Sequence, residues 1–240
     1  MDTYRSLIPE NDGQRLAALR AYNVLGTAPD GVFDEIVRLT AKLFGVPVAL
    51  ISLVEQDRVE FKANYGLGGV QQVPRTDSIC SVAVLRDETT VFENLHESPC
   101  LLTNPAAAEL NNFGFYAGHP LATREGLNIG ALCVLDRKPR AVSGPERERL
   151  ATMAGLVVQL FDLRALLERQ PATGVATWLL IYRSIEESLV RIDTLRELAQ
   201  WEESDETEAA RRYRAAVDEE AERVLQALQA ELESVRKRLS

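Results

Sequence analysis

Histidine and cysteine are scarce in this chain. The two histidines, His96 and His119, show neither H-x-x-x-H nor H-E-x-x-H spacing, and the three cysteines, Cys80, Cys100 and Cys133, form no C-x-x-C pair. Both facts argue against a metal site. An odd, sparse set of thiols fits a reducing cytoplasm better than a disulfide framework. Against a formal net charge of −9, no Lys/Arg block stands out, so neither nucleic acid nor an anionic membrane is expected as a partner. No run approaches the roughly 18 apolar residues that span a bilayer, and residues 1–10 lack the apolar centre of a signal peptide. The glycine cluster Gly66 to Gly69 lacks the spacing of a phosphate-binding loop and reads as an ordinary loop. Internal repeats and low-complexity segments are absent as well.

What is present is a series of short apolar segments rich in Val, Ile and Phe, bounded by Gly, Pro, Asn or Asp and flanked by helical patterns. The run Val48 to Val54 is continuously apolar apart from Ser52, as a buried central strand should be. Val59 to Tyr65 alternates like a half-exposed hairpin partner. Strands are also predicted over Thr89 to Glu93, Phe113 to Leu121 and Asn128 to Leu135. Before them come two helices, the first from Asn11 or Asp12 to about Val24, the second capped by Asp30 and ended by Gly45 and Pro47. Asp77 or Ser78 can cap a short helix through Leu85, and one helical turn is expected near Ala106 to Leu110. Ser143 with Glu146 three residues on forms a capping box, with Pro145 in the first turn of a long helix.

Pro171 to Gly174 reads as a linker, which divides the chain into a unit over residues 1–170 and a helical arm over 171–240. In the arm, Trp178, Ile181, Ile185, Leu189, Ile192 and Leu195 make one apolar stripe. Val217, Ala221, Val224, Leu228, Leu232, Val235 and Leu239 make another, beyond a polar break at Glu202 to Glu206. Spacings of three and four predict a helical hairpin or coiled-coil arm, within one chain or between two.

Several ordered segments carry a resemblance. Leu25 to Asp30, Phe33-Asp34, Val48 to Val54, Asp57-Arg58, Phe61 to Ala63, Pro74-Arg75, Ser78 to Cys80, Asn104-Pro105, Phe115 to Gly118, Pro120-Leu121, Gly130 to Val134 and Pro139-Arg140 follow one another in sequence. Over residues 5–167 this resembles the GAF domains at the N-termini of bacterial sensor kinases and diguanylate cyclases. The resemblance implies an α+β fold: an antiparallel sheet of five to six strands, with helices on one face and a small-molecule cavity on the other. It also implies that the first and last helices lie together and dimerise. Departures fall near the expected cavity: Val82 stands where the subfamily often has histidine, Glu60 where it has tryptophan, and His119 where it has alanine.

Arg75, Ser78, Cys80, Phe115, Tyr116 and His119 are the ligand-binding candidates. Phe115 and Tyr116 are consecutive on one strand, so only one of them can face the cavity. No residue is assigned to catalysis or to a metal, and no cofactor is named. These features predict a non-catalytic, cytoplasmic signal sensor that binds an unidentified small molecule or a signalling protein, dimerises with its own kind, and relays the change through the C-terminal helices. Two alternatives stand beside it: a thiol-based redox enzyme of the free methionine sulfoxide reductase type using Cys80, and a ligand-free dimerisation module.

Overall fold

The computed structural model describes residues 6–169, 171–200 and 207–239. Six strands form a single antiparallel sheet in the order β3-β2-β1-β6-β5-β4: β1 (Val48–Val54), β2 (Arg58–Tyr65), β3 (Gln72–Pro74), β4 (Thr90–Phe92), β5 (Phe115–Ala122) and β6 (Asn128–Asp136). All seven residues of β1 are buried, as its unbroken apolar pattern predicts. It lies between β2 and β6, where a strand covered on both faces belongs. Only the three-residue β3 went unforeseen. It pairs with β2 in the register Val59↔Val73, and a strand that short carries no periodicity to read.

The helices are α1 (Asp12–Ala21), α2 (Gly31–Phe44), α3 (Cys80–Ala83), α4 (Pro105–Leu110), α5 (Gly144–Leu167), α6 (Pro171–Gln200) and α7 (Glu208–Leu239). The capping signals of α2 and α5 act as expected, whereas Asn11 heads α1 without a side-chain cap bond and α3 opens behind Ile79 rather than behind Asp77 or Ser78. Asp30 accepts from the Val32 amide at 3.1 Å, Gly45 ends α2 at φ 64, and Ser143 and Glu146 close the predicted capping box.

Strand alternation divides the interior into two clusters. Ala49, Ile51, Leu53, Phe115, Ala117, Leu132 and Val134 point to the helical face and pack with α2, α5, α6 and α7. Val48, Leu50, Val54, Tyr116, Cys133 and Leu135 point the other way, where α3 and long loops cover them.

Helix α5 corrects one expectation. By length and composition it is apolar enough to cross a membrane, with a mean hydropathy of 1.6. Yet 56% of that window is buried inside the protein, against β5, β6 and the neighbouring helices, so its apolar character serves the core.

The predicted linker is also not one. Residues 171–174 are the opening of α6, which begins at Pro171, a residue tolerated in the first turn. The two arm helices pack together, with Arg191 Nε 2.8 Å from Glu220, and bury the predicted stripes apart from Trp178 and Leu195, which are half-buried. The break at 202–206 and the side chain of Leu239 lie outside the described residues. The arm is also fastened to the rest of the chain. Asp30 pairs with Arg164 of α5 and accepts from Trp178 Nε1 of α6 at 3.0 Å, Lys42 meets Asp193 at 2.7 Å, and Arg149 meets Asp218 at 3.1 Å.

Candidate functional site

On the sheet face away from the long helices lies a cavity of about 250 Å³. Its floor is Leu50, Tyr116 and Leu135; its walls are Phe61 and Val73 on one side and Ile79, Cys80 and Phe113 on the other. Val70 from the β2–β3 loop and Leu110 from α4 stand at its rim, 41% and 88% exposed. The lining is mostly apolar. Its polar groups gather at one wall, where Asp77 accepts from Thr76 Oγ1 at 3.2 Å and from Asn104 Nδ2 at 3.3 Å, with Ser78 beside it. Asn104 also caps α4 by accepting from the Ala106 amide, so cap and cavity wall are one residue.

Of the six sequence candidates, Ser78, Cys80 and Tyr116 line this cavity. Phe115 does not. The alternation of β5 turns it to the helical face, where the Arg140 guanidinium lies 5.4 Å from its ring centre. Arg75 is buried at 1% exposure and looks away from the cavity. It donates to the Leu7 carbonyl at 2.6 Å, to the Glu55 and Gln56 carbonyls at 3.1 and 3.3 Å, and to Asp12 at 3.2 Å. His119 lies further along β5, where its Nδ1 is 2.9 Å from Thr89 Oγ1. Burial lowers its pKa from the ordinary value of 6.5.

Cys80 sits directly over the sheet, its sulfur 3.4 Å from that of Cys133 on β6. Both are reduced and buried, and the Cys133 thiol also reaches the Leu50 carbonyl at 3.8 Å. The pair gives up a first proton more readily than an isolated thiol, because the Cys133 S–H donates to the sulfur left behind on Cys80. Burial and that neighbouring charge then hold the second proton well above the usual thiol range. The Tyr116 hydroxyl is buried beside both sulfurs without a hydrogen bond of ordinary geometry, and burial raises its pKa well above the phenol range. Among the described residues no group of three or more His, Cys, Asp or Glu side chains could hold a metal ion.

The sequence profile of the GAF domain matches residues 28–160, more than half of the chain. The chain belongs to the GAF domain family. Over 145 residues it is 39% identical to Cyclic di-GMP phosphodiesterase PA2567 of Pseudomonas aeruginosa, which covers 60% of this chain but only 24% of that protein. The chain thus spans about a quarter of the length of this curated relative. Among solved structures it is similar to the GAF domain of an Acinetobacter phosphoenolpyruvate-protein phosphotransferase. There the identity is 19% and the TM-score 0.45, over 62% of this chain and 93% of the other. A type II free methionine-R-sulfoxide reductase of Thermoplasma acidophilum gives 17% identity and a TM-score of 0.43, over 67% and 95%.

In this GAF domain, sequence reasoning missed Asn104 in the polar wall and the rim residues Val70 and Leu110, and it did not place Cys133 against Cys80.

Proposed function

We propose that this GAF domain is a non-catalytic sensor that takes a small, mainly apolar ligand into the cavity between the sheet and α4. The observation that carries the reading is the cavity itself, an apolar pocket with one polar wall formed by Asp77, Ser78 and Asn104. Its 250 Å³ sits just below the roughly 300–1,000 Å³ of pockets for drug-sized ligands, which favours a compact molecule over a dinucleotide. Phosphodiesterase chemistry is therefore not carried over from the relative.

Two features support a relay. The 3-10 turn Arg75–Asp77 forms part of the cavity wall at Asp77, and Arg75 grips the N-terminal segment. On the opposite face, the sheet's apolar cluster continues without a break into the arm helices. A ligand that moves the turn would shift α1 and, through the sheet, the arm; packed elements of this kind change between discrete arrangements. Homodimerisation through α1 and α5, and transfer to a signalling protein, belong to the same proposal. Tyr22, just past the end of α1, donates to Asp162 of α5 at 2.9 Å and so links the two helices at one point.

Native mass spectrometry of the full chain tests the reading. Ala107 lines the cavity from the half-exposed side of α4, so Ala107→Trp would fill it at small cost to folding. A small molecule retained by the wild type and lost from Ala107→Trp supports the site, and the same molecule retained by the variant places it elsewhere.

A further inference from the structure

The two sulfurs beneath the cavity form an arrangement that ligand binding does not require. Cys80 and Cys133 come from elements 53 residues apart in sequence and meet at 3.4 Å, sulfur to sulfur. Cys80 lines the cavity, and the cavity reaches solvent between the exposed side chains of Val70 and Leu110. Cys133 is fully buried behind it. Cys80, though only 3% exposed, borders the cavity, and Cys133 is held directly behind it. Beside them stands the Tyr116 hydroxyl, a buried donor with no partner of its own.

We propose that Cys80 and Cys133 are an oxidation site that hydrogen peroxide converts to an intramolecular disulfide. In the first step the Cys80 thiolate attacks one peroxide oxygen. An S–O bond forms, the O–O bond breaks, and the departing hydroxide takes up the proton that Cys80 released, leaving as water. In the second step Cys133 attacks the sulfenic sulfur of Cys80. The S–S bond forms, the S–O bond breaks, and the hydroxide leaves as water with the Cys133 proton. Peroxide gains two electrons and each thiol loses one. The easier loss of the first proton supports the attack, because the thiolate is the reactive form.

Closing the bond brings the sulfurs to about 2 Å, an approach of somewhat over 1 Å. Helix α3, only four residues long, is the element that can give way; β6 is fixed on both sides by β1 and β5. Ser81 on α3 donates to the Arg75 carbonyl at 2.7 Å, so the same movement pulls on the turn that carries Arg75. The proposal uses the cavity as a path for peroxide and does not depend on any ligand binding there.

The test treats the reduced 240-residue chain with hydrogen peroxide and reads intact mass and non-reducing peptide maps. The wild type and Cys100→Ser should each become lighter by two hydrogen atoms, carry a Cys80–Cys133 linked peptide, and return to the starting mass with dithiothreitol. Cys133→Ser should stop one step earlier, with a sulfenic acid at Cys80 that dimedone traps. A Cys100→Ser chain that keeps its reduced mass overturns the proposal. So does oxidation confined to Cys100, or a disulfide that joins two chains. The wild-type and Cys100→Ser results decide the matter even if Cys133→Ser does not fold. A chain that forms no disulfide but is stabilised by a cavity compound keeps the sensor reading and loses this one; the opposite pattern does the reverse.

Discussion

Arg75 Nη2 lies 3.2 Å from Asp12 Oδ1, a pairing across 63 residues that joins the turn at the cavity wall to the first turn of α1. The same carboxylate oxygen is 2.8 Å from Arg15 Nη2, so one half-hidden acid balances two guanidinium groups whose side chains are both 0% exposed. Asp12→Asn keeps the shape and removes the charge. Two buried cations are then left without a counter-ion, and breaking such a pair costs about 3–5 kcal/mol. Urea unfolding should show a loss of that order, and hydrogen exchange should rise first in α1. A loss below about 1 kcal/mol would mean that the carbonyl contacts alone hold Arg75.

Gly118 is confined by Tyr116, two residues away on the same strand face. A Cβ at position 118 would lie 2.2 Å from the Tyr116 hydroxyl, and that ring is too buried to swing aside. Gly118→Ala should destabilise by about 1–3 kcal/mol. Tyr116→Phe should be close to neutral, because it removes a buried hydroxyl that has no partner. The double variant should recover part of the loss, since the two sites share the clash. Strict additivity would place the strain somewhere other than Tyr116.

His119 makes stability fall in mild acid. Burial lowers its pKa below 6.5, so in that window the unfolded chain binds a proton that the native chain refuses. The contribution is complete above the unfolded value and is lost as pH falls through the lowered one. Melting temperatures taken between about pH 7.5 and 5 should decline more steeply for the wild type than for His119→Gln. Parallel curves would assign the decline to other groups.

Features that act locally are readable in the sequence. Asp30, Gly45, Ser143 and the apolar run of β1 act within a few residues of themselves, so local pattern was enough. The alternation of β5 was equally local, and it fixed that Phe115 and Tyr116 must part company, though not which of them faces the cavity. In the sequence Arg75 reads as a ligand group because its partners, Leu7 and Asp12, are more than 60 residues away. Cys133 and Asp30 share that difficulty. Asp30 is legible as a cap, but its contacts with Arg164 and Trp178 exist only once three helices have come together.

The arm is the place where this matters most. Its buried stripe predicts that Leu228→Asp, with Leu228 only 3% exposed, costs several kcal/mol. A free-standing arm would lose its structure alone. Because Lys42–Asp193 and Arg149–Asp218 tie it to α2 and α5, we expect limited proteolysis to show lost protection on those two helices also, while the sheet stays intact. Protection lost only beyond residue 170 would restore the arm as a separate unit.

The most direct test of the sensor reading is a thermal-shift screen of compact, mainly apolar compounds, each carrying one polar group, on the wild type and on Ala107→Trp. Anything that binds only the native state raises its apparent stability, by about 2.7 kcal/mol at a hundredfold excess over the dissociation constant. The account predicts one compound class that raises the melting temperature of the wild type and leaves that of Ala107→Trp unmoved. No stabilising class at all, or equal stabilisation of both chains, would contradict it.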